Sequence, residues 1–188
     1  MESKQFAQGY IDKLADVASK LDAASIGKAI DWLRDARRDG RMVYACGNGG
    51  SALIASQMVV DIVKGASYGH AERIKMIGLS DNMGTVTAYA NDVSYDVVFV
   101  EQLKNFAQKG DVLIGISGSG NSKNVLLATE YANSIGCKTI GITTSTGGKL
   151  KDIAQLPLLV PSDHMGRLED CFFAITHILC YAFIEETK

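Results

Sequence analysis

Two short turns carry the residue types that grip an anion: Gly47-Asn48-Gly49-Gly50-Ser51 and Ser117-Gly118-Ser119-Gly120-Asn121-Ser122. Glycine lets the backbone approach a ligand without a Cβ in the way. A serine such as Ser51 at a helix start can cap it, where free N–H groups and the positive dipole end suit phosphate. Neither turn matches G-x-G-x-x-G or a Walker sequence ending in Gly-Lys-Ser/Thr, which argues against NAD and ATP. A phosphorylated small molecule is therefore the favoured ligand. The titratable candidates lie apart from these turns. Asp61 interrupts the apolar run Met58–Val63, so it is either functional or paired with a structural base. Gln57 lies one turn earlier on the same helix face, where both side chains can address one ligand. His177 stands among Phe172, Phe173, Ile175, Ile178 and Leu179, and on those neighbours alone it reads as a satisfied core histidine. Glu169 precedes it by eight residues, a backbone separation of about 12 Å on a straight helix. If both serve one site, they come from different subunits. His70 and His164 fall in loops and read as solvated residues.

The elements that must place these groups follow a regular rhythm. Strands are expected near Met42–Cys46, Ile74–Leu79, Val112–Ser117, Thr139–Thr144 and Leu156–Val160. Helices are expected near Ser51–Lys64, Tyr95–Ala107, Asn121–Ile135, Gly148–Ile153 and Arg167–Glu185. Apolar strands alternating with helices predict a parallel sheet covered on both faces. Both turns then lie beyond the carboxyl ends of strands, where such sheets bind ligands. Phe6, Tyr10, Leu14, Val17 and Leu21 recur at helical spacing, and a second helix from about Ser25 ends at Gly40. These two form an N-terminal hairpin that covers either a neighbouring subunit or its own sheet. The apolar Cys171–Ile184 stretch needs cover from the core or a second subunit.

The chain has 188 residues, 47% of them hydrophobic and 21% charged, with a net charge of −2. That describes one ordinary globular domain over residues 1–188 and lacks the basic excess of a nucleic-acid surface. No stretch is long and apolar enough to span a membrane. The first residues, Met1-Glu2-Ser3-Lys4-Gln5, lack the apolar core of a signal peptide, so a cytoplasmic location is expected. Cys46, Cys137, Cys171 and Cys180 are scattered without a C-x-x-C pair and read as reduced, buried thiols.

Taken in order, Gly47–Ser51, Leu79-Ser80-Asp81, Asn91-Asp92, Gly115–Val125, Val160-Pro161-Ser162, Arg167–Asp170 and His177 resemble the sugar isomerase (SIS) domain, in its phosphoheptose isomerase branch. The resemblance covers nearly the whole chain, including the helical pair. It implies a three-layer α/β sandwich with a five-stranded parallel sheet, and a homotetramer with active sites between subunits. It implies phosphate contacts at Ser51, Ser117, Ser119 and Ser122 beside Gly49 and Gly50, and sugar contacts at Asn48 and Asp92, with Glu169 also in the site. The catalytic glutamate falls at Asp61, which has a shorter reach, and the catalytic histidine at His177. Zinc is the family's metal. Here its ligand positions are Gln57, where the family has histidine, with Asp61, Glu169 and His177, a harder donor set than zinc prefers. Whether a metal is bound, and which, is left open; no nucleotide is expected.

Further departures are Gly65 for an arginine, Gly118 for a threonine and Gly166 for an aspartate. The implied reaction is conversion of sedoheptulose 7-phosphate to D-glycero-D-manno-heptose 7-phosphate through an enediol, supplying surface polysaccharide. Asp61 would act as base and His177 as acid. The alternatives are isomerisation of another sugar phosphate and a non-catalytic relative that binds the bacterial replication initiator.

Overall fold

The computed structural model describes residues 2–146 and 148–186. Helices α1 (Ser3–Ala18) and α2 (Ala23–Arg38) precede strand β1 (Met42–Cys46), and α3 (Gly50–Val60) follows it. Then come β2 (Lys75–Gly78), α4 (Met83–Asp92), α5 (Val100–Phe106), β3 (Val112–Ser117) and α6 (Lys123–Ser134). The chain closes with β4 (Lys138–Thr144), α7 (Leu150–Ile153), β5 (Leu156–Val160) and α8 (Met165–Glu185). No described helix is long and apolar enough to cross a membrane.

The five strands pair in parallel in the order β2-β1-β3-β4-β5. Alternating strand residues feed two cores. Val43 and Ala45 face α2, α3 and α8 on one side, where Leu33, Met58 and Phe172 are buried. Tyr44 and Cys46 face the other side, packed with Phe99 just before α5, Leu103 of α5, Val125 and Ala128 of α6, and Leu150 of α7. The expected three-layer sandwich is what forms. Its strand order has a functional consequence. From β1 the chain first goes outward to β2 and then crosses back to β3, so the switch in direction lies between the adjacent strands β1 and β3. The crevice beyond such a switch is where open parallel sheets hold ligands, and the two Gly/Ser turns follow these two strands.

The helical pair covers its own chain. Ala29, Leu33 and Ala36 of α2 are buried in the first core. Helix α1 leans on α8, where Tyr10 Oη donates to Asp170 Oδ2 at 2.6 Å and the Arg167 guanidinium sits over the Tyr10 ring. Phe6 and Ile11 on α1 stay exposed. The four cysteines are free and buried, and burial pushes the Cys46 thiol up to about 12 and Cys137 to about 11. Helix α4 has no counterpart in the sequence reading. It buries none of its residues fully, so it lacks the apolar stripe that marks a helix in sequence; Asn82 starts it by accepting the Thr85 N–H at 3.0 Å.

Candidate active site

The first turn is shaped by backbone. Gly49, with φ +53°, is the N-cap of α3, a conformation that suits glycine. Ser51 therefore sits in the first helical turn instead of capping it, buried and with its N–H donating to Asn48 O at 3.0 Å. A Cβ on Gly47 would stand 2.7 Å from the Ser51 carbonyl, so this turn tolerates no side chain there. The second turn is held by its own hydroxyls. Ser117 Oγ and Ser122 Oγ are 3.0 Å apart, Gly120 N–H donates to Ser117 Oγ, and Asn121 N–H donates to Ser119 Oγ. The segment after β4 braces it: Leu150 N–H donates to Gly120 O at 2.9 Å, and Lys149 N–H donates to the Asn121 side chain.

The two turns are tied together through Asn48, the expected sugar contact, by two residues that the sequence reading left without roles, Asn124 and Tyr95. Asn48 and Asn124 form a reciprocal carboxamide pair at 2.9 and 3.0 Å, and Tyr95 Oη donates to Asn48 Oδ1 at 2.7 Å. Lys123 at the start of α6 pairs with Asp96 at 2.6 Å beside Tyr95. Asn124 lay within the recognised Gly115–Val125 motif, but its spacing from Asn48 carried no signal that the two meet. Asp92 ends α4 on the surface and accepts from the neighbouring Asn91 at 2.8 Å; it is not drawn against either turn.

Helices α3 and α8 run side by side in the same direction, and their contacts place the remaining candidates. Near the start, the Glu169 carboxylate lies over Gly50, where an added Cβ would be 2.5 Å from Oε1. Farther along, His177 Nε2 stands 3.6 Å from Asp61 Oδ2, with side-chain exposures of 47% and 16%. Cys180 Sγ contacts Met58 O, and Ile184 fills the space beside Gly65. Gln57 Nε2 donates to Asp61 Oδ1 at 3.1 Å, as the one-turn spacing predicts. Asp61 Oδ2 is buried and has no hydrogen-bond partner. At Asp61 the helix widens into a π turn, Asp61–Gly65, closed by Ala66 N–H donating to Asp61 O at 2.8 Å; the sequence read this stretch as plain α-helix. Such π turns recur at functional sites.

His177 is thus no core histidine: it is half exposed between the Phe173 and Tyr181 rings, each 6.1 Å away. His164 is not simply solvated either. Its Nδ1 accepts the Arg167 N–H at 3.4 Å as the cap of α8. His70 is half-buried in a shallow cavity with Arg37 and Glu186.

The four expected metal ligands do not converge within the chain. Asp61 and His177 meet and Gln57 joins them, but its amide points its N–H at the carboxylate. Glu169 is eight residues back along α8 at Gly50. No three of the described His, Cys, Asp and Glu residues gather closely enough to hold an ion. The donor set of one chain therefore does not fit the metal.

The glycine departures are each filled from nearby. A side chain at Gly118 would meet Met165 Sδ at 3.1 Å, one at Gly166 the Tyr10 hydroxyl at 2.8 Å, and one at Gly65 the Ile184 Cδ1 at 2.9 Å.

Comparison with known proteins gives a consistent result. Residues 6–144 match the SIS domain family. The chain is 40% identical over 153 residues to the phosphoheptose isomerase of Nitratiruptor sp., covering 81% of each. It is 36% identical over 179 residues to that of Geobacter sp., covering 95% of this chain and 92% of the relative. The solved phosphoheptose isomerase of Francisella tularensis superposes with a TM-score of 0.89 at 26% identity, covering 98% of this chain and 100% of that one.

Proposed function

Because this chain belongs to the SIS-domain family, in its phosphoheptose isomerase branch, we propose that it interconverts sedoheptulose 7-phosphate and D-glycero-D-manno-heptose 7-phosphate through an enediol. The observation that carries the reading is the Asp61–His177 pair at 3.6 Å, with a buried carboxylate oxygen free of hydrogen bonds. A carboxylate with an unoccupied oxygen can take the proton from the carbon next to the carbonyl. The C–H electron pair then forms the carbon–carbon double bond, and the imidazole supplies the proton to the carbonyl oxygen. The hydroxyl on the carbon that lost its proton then returns a proton to the imidazole and becomes the new carbonyl, while the electron pair of the double bond takes the first proton back from the carboxylic acid at the neighbouring carbon. Ser51, Ser117, Ser119 and Ser122, with the N–H groups of their turns, hold the phosphate. Asn48 addresses the sugar.

Ser51 and Asp61 are ten residues apart along α3 and its π turn, about 15 Å at helical rise. An extended heptose phosphate does not cover that span. This supports a site that takes its serines from one subunit and its Asp61–His177 pair from another, in a cytoplasmic homotetramer. The half-exposed Ile178 and Tyr181 beside His177, and exposed Leu53 and Val60 on α3, offer apolar surface for the contact. Where the family has a polar arginine, threonine and aspartate, Ile184, Met165 and Tyr10 fill the space, so a different ketose phosphate is the second reading. Deuterium exchange at C1 and C2 of five- to seven-carbon ketose phosphates in D₂O tests both. Exchange with none of them overturns the isomerase reading, and sedimentation as an active monomer overturns the shared site.

A further inference from the structure

The side chain expected to touch the sugar, Asn48, is locked by a chain of hydrogen bonds that begins in the backbone. Val125 N–H, in the first turn of α6, donates to Asn124 Oδ1 at 2.9 Å. A backbone N–H can only donate, so this bond settles which end of the Asn124 carboxamide is oxygen. Asn48 Nδ2 donates to that same oxygen at 2.9 Å, so the orientation of Asn48 follows. Asn48 Oδ1 must then face the other way, and it accepts from Asn124 Nδ2 at 3.0 Å and from Tyr95 Oη at 2.7 Å. A carboxamide oxygen has two lone pairs and its nitrogen two hydrogens. Both lone pairs of Asn48 are taken, and one N–H remains.

We infer that Asn124 and Tyr95 are positioning residues that make Asn48 a donor only, aimed at an acceptor oxygen of the bound sugar phosphate. The inference rests on the isomerase reading for the identity of that oxygen: the substrate carbonyl, whose charge grows as the enediol forms. A fixed donor there stabilises developing charge without reorganising. Asn124 is 2% exposed and cannot reach substrate itself, whereas Tyr95, at 52%, closes the outer side of the arrangement. The pair also bridges the turn after β1 to the turn after β3, so it sets the distance between the two halves of the pocket.

Five variants test this: Asn48→Ala, Asn124→Ala, Asn124→Asp, Tyr95→Phe and the double Asn48→Ala/Asn124→Ala. Misplacing one donor costs on the order of a hundredfold in turnover. Asn124→Ala should therefore lower kcat about as much as Asn48→Ala does. The double variant should be no slower than Asn48→Ala. Losses that multiply would show that Asn124 acts independently of Asn48 and would overturn the inference. Asn124→Asp keeps both acceptor contacts and lacks the N–H that reaches Asn48 Oδ1, so it should fall between wild type and Asn124→Ala even if the alanine variant folds poorly. A side-chain amide NMR spectrum separates this inference from the isomerase reading. In wild type the Asn48 NH₂ pair should be well resolved and slowly exchanging, and in Asn124→Asp or Tyr95→Phe it should shift and exchange faster. If wild type has no isomerase activity, that reading falls, and unchanged Asn48 resonances in these variants overturn this one.

Discussion

Replacing Asp61 by asparagine separates catalysis from folding, and the structure sets both magnitudes. The substitution keeps an oxygen for Gln57 Nε2, which donates at 3.1 Å. What disappears is the charge facing His177 Nε2 at 3.6 Å, in a pair whose histidine is 47% exposed. A pair that open to solvent contributes about 1 kcal/mol at most, which shifts the midpoint of thermal unfolding by roughly 2–4 °C for a chain of this size. Turnover behaves differently. Loss of a general base costs about a hundred- to ten-thousandfold, or roughly 3–5 kcal/mol of barrier. Proton NMR in D₂O, following loss of the C1 or C2 proton signal of a ketose phosphate, measures the exchange step itself, and calorimetric unfolding of the same preparation measures stability. The expected result is exchange at background level in a protein that melts within a few degrees of wild type. Exchange within tenfold of wild type refutes Asp61 as the base. If Glu169→Gln abolishes exchange at the same time, the role belongs to that carboxylate at the start of α8.

Phosphate placement is tested at Glu169, whose carboxylate lies over Gly50 at the start of α3. A carboxylate this close opposes a bound anion by about 1 kcal/mol after solvent screening, so Glu169→Gln should bind inorganic phosphate about fivefold more tightly in calorimetry, and equal affinity would remove phosphate from that turn. Gly148, with φ +87°, lies against the Ser119 carbonyl and Gly120. Gly148→Ala should lose about 2–4 kcal/mol in urea unfolding and weaken phosphate binding; wild-type values of both would show that this segment does not shape the second turn. The thiols of buried Cys46 and Cys137, pushed up to about 12 and about 11, should react with Ellman's reagent at pH 8 only when the protein is unfolded, and prompt labelling in the native protein would contradict their burial.

Much of this architecture was legible in one dimension because it is driven by local pattern. The apolar runs at Met42–Cys46, Val112–Ser117 and Leu156–Val160 became strands with those bounds; the first two are buried on both faces, which needs unbroken hydrophobicity, and the third is an edge strand whose alternate residues are buried. The glycine- and serine-rich turns formed after two of them, where they were expected, since those residue types answer to local sterics and hydrogen bonding. The Gln57–Asp61 contact followed from helical spacing alone. Sequence spacing says nothing, however, about which strands become neighbours or how helices lie across a sheet. Only the order β2-β1-β3-β4-β5 brings the two turns together at one crevice and lets Asn48 meet Asn124, 76 residues away. The side-by-side course of α3 and α8 is what turns His177 from a residue on an apolar helix into the half-exposed partner of Asp61. The same packing holds Glu169 away from that pair. These outcomes depend on long-range packing, where the gain comes from burying whole helix faces against a twisted sheet, and no window of neighbouring residues contains that information.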